Sequence, residues 1–68
     1  MERGETELEM VRRHVREGER IVVNQRALID RLKASDRPID EAEILLANFQ
    51  AVQRQHEEHL SRIETRQL

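Results

Sequence analysis

Three histidines, His14, His56 and His59, are the residues of this chain whose type and spacing come closest to chemistry. His56 and His59 stand three apart, so a helix carries both on one face, and imidazoles gathered inside a helical bundle can bind zinc or another divalent ion. The neighbouring residues do not complete a known signature. In His56-Glu57-Glu58-His59 the second histidine comes one residue too early for the zinc-protease pattern HExxH. The Glu-x-x-His pairs of di-iron bundles would need a glutamate at position 53, where this chain has Gln53. The rings therefore read first as packing groups at the wetter end of a bundle. A histidine-based metal site on His14, His56 and His59 is the alternative, and no cofactor is expected.

Arg12, Arg16 and Arg20 form a row of like charges at i, i+4 spacing, with Arg13 beside it. Such a row can meet phosphate or an acidic partner. It can equally be a solvated face answered by Glu9, Glu17 and Glu19 on the same helix, or by Glu57 and Glu58 on another. No aromatic residue is interleaved to stack bases, and the second half of the chain is acidic, so a nucleic-acid partner is not expected. The hydroxyls Thr6, Ser35, Ser61 and Thr65 fall at helix ends or exposed positions, cysteine is absent, and no glycine-rich phosphate loop occurs. Nothing here pairs a nucleophile with a base, so the expectation is that the chain is not an enzyme.

The elements that must carry these residues are two long helices. Hydrophobic residues make up 37% of the 68 and charged residues 38%, with one aromatic, Phe49, and only Gly4, Gly18 and Pro38 as breakers. That composition suits amphipathic helices and argues against strands. The net charge of −2 gives no bulk attraction to nucleic acid or anionic lipid. No apolar run approaches the roughly 18 residues that span a bilayer, so no membrane partner and a cytoplasmic location are expected.

Thr6 followed by Glu9 reads as a capping box that starts the first helix, leaving residues 1–5 frayed. From there Leu8, Val11, Val15, Gly18, Val22, Gln25, Ile29 and Leu32 recur at alternating steps of three and four, a coiled-coil-like seam widened by His14, Ile21 and Leu28. Gly18 followed by Ile21-Val22-Val23 is a soft point, where a short strand is conceivable, but the spacing continues through it. Gln25 is the polar residue deep in this seam: either a buried amide that sets register or a rim position reaching water.

Pro38 disfavours helix at Arg37 and so ends the first helix before it. Asp40 with Glu43 reads as a second capping box, and Ile39 with Ile44 as a hydrophobic staple. The second seam is read as Ala42, Leu45, Phe49, Val52, His56, His59 and Ile63, widened by Leu46 and Leu60. Helices over about 6–34 and 41–66, joined by a turn at 35–40, must lie antiparallel. Folding about that turn sets Leu32 level with Leu45, Gln25 with Val52, Gly18 with His59 and Val15 with Ile63.

The run Arg13-His14-Val15-Arg16-Glu17-Gly18-Glu19-Arg20-Ile21-Val22, continuing into Gln25-Arg26-Ala27-Leu28-Ile29, resembles a small family of alphaproteobacterial proteins with no assigned activity. Ala42-Glu43, Leu45-Leu46, Phe49, His56 and His59-Leu60 resemble that family's second half, with Asp36-Arg37-Pro38 in place of a glycine-containing connection. The resemblance implies a helical hairpin and no catalytic signature. Asn24-Gln25-Arg26-Ala27-Leu28-Ile29-Asp30 does not match the Ser-Gln-x-Leu-Asp motif of the sporulation aspartyl-phosphate phosphatases, since the serine is missing and the leucine and aspartate are displaced.

The fold expected is all-α: an antiparallel two-helix hairpin whose stripes are broader than one partner helix can cover. A homodimer, forming a four-helix bundle, would cover them, using Val15, Ile21, Val22, Leu28, Ile29, Leu45, Leu46, Phe49, Val52 and Leu60 as packing and dimer interface. The function expected is a self-associating protein–protein interaction module, with a further protein partner open.

Overall fold

The computed structural model describes residues 4–66. They form two helices, α1 (Glu7–Ala34) and α2 (Asp40–Arg66), packed side by side as an antiparallel hairpin. The frayed stretch expected at 1–5 lies partly outside the described residues; Gly4, Glu5 and Thr6 precede α1. Among the described residues there is no strand, and α1 runs unbroken through Gly18 and Ile21-Val22-Val23.

α1 starts on the capping box read from the sequence. The Glu9 amide donates to Thr6 Oγ1 at 3.1 Å, and the Thr6 amide donates to Glu9 Oε1 at 3.2 Å. The helix ends in a Schellman motif. The Arg37 amide donates to the Leu32 carbonyl at 2.9 Å and the Asp36 amide to the Lys33 carbonyl at 3.1 Å. Asp36 takes the left-handed position of that motif, at φ 55°, which glycine usually fills.

The start of α2 differs from expectation. Its first helical bond runs from the Glu43 amide to the Ile39 carbonyl at 2.8 Å, so Ile39 is the cap and Asp40 already lies in the first turn. The capping box expected at Asp40 and Glu43 therefore does not form, and Ile44 stands exposed instead of stapled to Ile39. Asp40, Glu41 and Glu43 stabilise the helix start through the positive end of its dipole instead.

The register is corrected too. Gly18 faces Gln53, not His59, and Gln25 reaches the Ala42 carbonyl, not the level of Val52. Counting outward from Pro38 placed the reversal too late in the chain. The Schellman motif turns the backbone at Ser35-Asp36, and the residues after it already run back beside α1. Carrying the Gly18–Gln53 level along the heptads sets Val22 beside Phe49, Val15 beside His56 and Val11 beside Leu60.

The α1 seam is the one read from the sequence: each of Leu8, Val11, Val15, Gly18, Val22, Gln25, Ile29 and Leu32 is buried or half-buried. The α2 seam is Ala42, Leu46, Phe49, Gln53, His56, Leu60 and Ile63, again at alternating fours and threes. Leu45 and Val52, assigned to the seam from the sequence, stand outside it at 43% and 48% exposure. Leu46 and Leu60, read as flanking, are in it.

Two seam positions are polar. Gln25 (8% exposed) donates from Nε2 to the Ala42 carbonyl, and Gln53 (7% exposed) donates from Nε2 to the Val15 carbonyl, each at 2.9 Å. Of the two readings of Gln25, the buried amide is correct. Gln53 Oε1 is buried without a hydrogen-bond partner and lies over Gly18, where any side chain would overlap it.

Two variants test these joints. Asp36→Gly removes a left-handed non-glycine residue and is expected to raise stability by about 1 kcal/mol in urea unfolding. Gly18→Ala gains about 1 kcal/mol of helix propensity but displaces a buried, bonded amide, so it should destabilise by roughly 1–2 kcal/mol. In a Gln53→Ala background the same change should turn stabilising. A double-mutant cycle without that reversal of sign would show that the notch at Gly18 is not what holds Gln53.

Candidate functional site

The level of Gln53 is also where two of the three histidines come together. His14 leaves α1 one turn before Gly18, and His56 leaves α2 one turn after Gln53. Their ring centres lie 5.2 Å apart, with the planes tilted by 49°. Both are half-buried. They border a hollow of about 330 Å³ with Gly18, Ile21, Phe49, Val52, Gln53 and the acidic Glu17 around it. The walls are largely apolar, and the two imidazoles, Glu17 and Gln53 supply its polar groups.

His59 does not join them. It lines a separate groove at the open end of the hairpin with Glu7, Arg62 and Arg66, where Arg66 Nη2 donates to Glu7 Oε1 at 3.3 Å. Among the described residues no three His, Asp or Glu side chains gather closely enough to hold an ion. The pairing on which the sequence drew attention, His56 with His59 at i, i+3, is thus replaced by a pairing across the helices.

The hairpin's two flanks differ. On one, Arg12 pairs with Glu64 at 3.5 Å, and Arg26 and Lys33 share a groove with Glu43. Glu19, Gln50, Arg54 and Glu57 continue this side, together with the exposed Val23. On the other flank stand Ile21 (44% exposed), Leu45 and Val52, with Leu28 half-buried. Of the remaining interface residues read from the sequence, Ile29 is buried inside the hairpin, and Val15, Val22, Leu46, Phe49 and Leu60 are half-buried along the seam.

The arginine row is partly answered, by Glu17 as the sequence indicated and by Glu64 and Glu5, which it did not. Arg12 finds Glu64, and Arg13 is forked between Glu5, through Nε and Nη2 at 2.9 Å each, and Glu17, through Nη1 at 3.1 Å. Arg16 and Arg20 are exposed. The hydrogen bond from Arg13 lowers the Glu5 pKa below the ordinary glutamate value, and the same bonds, that to Glu5 foremost, raise that of Arg13. A carboxylate with a depressed folded pKa stabilises the fold above its unfolded pKa and loses that effect as pH falls through the folded value. By NMR titration Glu5 should therefore protonate at lower pH than an unpaired glutamate, and the gap should shrink in Arg13→Gln or at 1 M salt. A Glu5 midpoint unaffected by either change would discount the fork.

Gln53 and Gly18 form the floor of the hollow, and neither was assigned a site role from the sequence. The signal available was the heptad step: Gln53 is seven residues from both Leu46 and Leu60. Comparison with protein-family models, curated proteins and solved structures gave no match.

Proposed function

We propose that the protein is a non-enzymatic, self-associating interaction module in which two hairpins pack through the flank of Ile21, Leu28, Leu45 and Val52 into a four-helix bundle. The observation that carries this reading is the surface left over. The chain exposes 5643 Å², whereas a compact 8.1 kDa monomer exposes about 4,500 Å². The excess, about 1,100 Å², exceeds the roughly 800 Å² per partner of a standard stable interface. Its shape agrees: the hairpin measures 51 × 28 × 14 Å, a single layer of helices. The radius of gyration is 15.9 Å, against about 11 Å for a compact domain of this length.

The composition of the two flanks favours a second copy as the occupant. One flank carries the Arg12–Glu64 pair and the charged groove of Arg26, Lys33 and Glu43; on the other the exposed side chains are branched aliphatics, and the charge beside them, Glu17, is paired with Arg13. A two-fold contact needs only a self-complementary patch, and an apolar strip with branched aliphatic side chains is one. No helix among the described residues is long and apolar enough to cross a membrane, so a bilayer is not what covers this strip as a span.

Val52→Glu or Leu45→Glu should break the dimer with the hairpin's helicity largely kept, since both residues lie outside the seam. Each buried aliphatic side chain lost from the interface should cost about 1.5–3 kcal/mol, counted twice by symmetry. Leu46→Glu, within the seam, should instead unfold the hairpin. Sedimentation equilibrium reports the first effect and far-ultraviolet circular dichroism the second. A parent protein that sediments as an 8.1 kDa monomer at micromolar concentration with full helicity would refute self-association.

A further inference from the structure

We infer that the pair His14 and His56 is half of a transition-metal site, completed by the same pair from a second copy, and that the metal it takes is zinc or another ion favouring four nitrogen ligands in a tetrahedron. The inference rests on the self-association proposed above.

The spacing of the rings is the first support. A zinc–imidazole bond is about 2.05 Å, the ring centre lies about 1.15 Å farther out, and tetrahedral ligands subtend about 109°, so two imidazoles on one ion have centres about 5.2 Å apart. The observed separation is 5.2 Å, between rings tilted by 49°, a spacing that this coordination accommodates and that an ordinary tilted aromatic pair also shows. Each ring comes from a different helix, so the hairpin itself sets the pair, and neither depends on a loop for its position.

Location is the second. The hollow bordered by the pair also holds Ile21 and Val52, two of the exposed residues of the proposed interface, so the histidines sit on the flank a second copy would cover. Of the two orientations open to a two-fold contact through this flank, the site takes the axis that runs along the bundle, which brings pair to pair at one level. Within one chain the set stays at two, because no third His, Asp or Glu is close enough. Two ligands make a weak site, and four close it in the manner of a structural zinc. The largely apolar walls would keep water from the ion.

The test uses the full chain without a histidine tag, in chelator and then with zinc chloride, read by isothermal calorimetry and sedimentation equilibrium. The expected result is one zinc per two chains. His14→Ala and His56→Gln should each weaken binding by more than the roughly 10–100-fold that follows loss of an outer-shell partner. Helicity should be unchanged, and His59→Ala should bind as the parent does. If the chain is a dimer in chelator and shows this pattern, both proposals stand. A chain monomeric in chelator that pairs on adding zinc, at one zinc per two chains, supports the site and refutes metal-free self-association. A dimer that binds no zinc, or binds it equally in His14→Ala and His56→Gln, overturns the site and leaves the dimer. One zinc per chain in a monomer overturns the site as an intermolecular one.

Discussion

The Gln53 side chain lies in the notch left by Gly18 and donates its amide to the Val15 carbonyl, and the rest of the hairpin is arranged around that bond. A helix backbone carbonyl is already engaged in its own ladder, so reaching it demands close approach, and glycine permits it. Once Gln53 is seated there, the helices cannot slide by a turn without leaving a buried amide unbonded, at a cost of about 1–3 kcal/mol. Gln25 repeats the device nearer the turn, against the Ala42 carbonyl. Apolar contact alone would not discriminate registers so sharply. Val11, Ile29 and Ile63 are the buried apolar side chains among the described residues, and aliphatic groups of similar size pack in several registers.

A seam that places amides at two of its levels buries less hydrocarbon than one of leucines, and the structure shows where the rest of the hydrocarbon went. Ile21, Leu45 and Val52 stand exposed on one flank; Arg12, Glu64 and the Glu43 groove occupy the other, where Val23 is exposed beside Glu19 and Arg26, and Ile44 stands exposed near the start of α2. The exposed ion pairs on the charged flank contribute little to stability, since each is solvated and screened. Their larger effect is on solvation: a charged flank resists burial more than an apolar one.

This division explains what could be read from the sequence and what could not. The first helix was legible to the residue, because its seam positions are apolar, with Gly18 and Gln25 held in phase between valines and isoleucines. In the second helix two apolar series compete one residue apart. Leu45 and Val52 form one, and Leu46 and Leu60 the other, whose middle member is Gln53. Hydropathy favours the first series; the structure uses the second, because a polar residue that bonds across the seam outweighs its own hydropathy once the bond is made. Likewise the proline drew the turn toward position 38, whereas Asp36 in a left-handed conformation is what reverses the chain. Aspartate signals that conformation far less strongly than glycine does.

The histidines follow from the same shift. With the reversal placed at Ser35-Asp36, the level of His14 falls at His56, and His59 moves out to the groove of Glu7 and Arg66. A pair three apart on one helix is set by helix geometry alone and would survive any register. A pair across two helices exists only because Gln53 holds Gly18 at its own level, one turn away from both rings. The amide bond that costs the hairpin part of its apolar core is therefore also what sets two imidazoles 5.2 Å apart beside Ile21 and Val52.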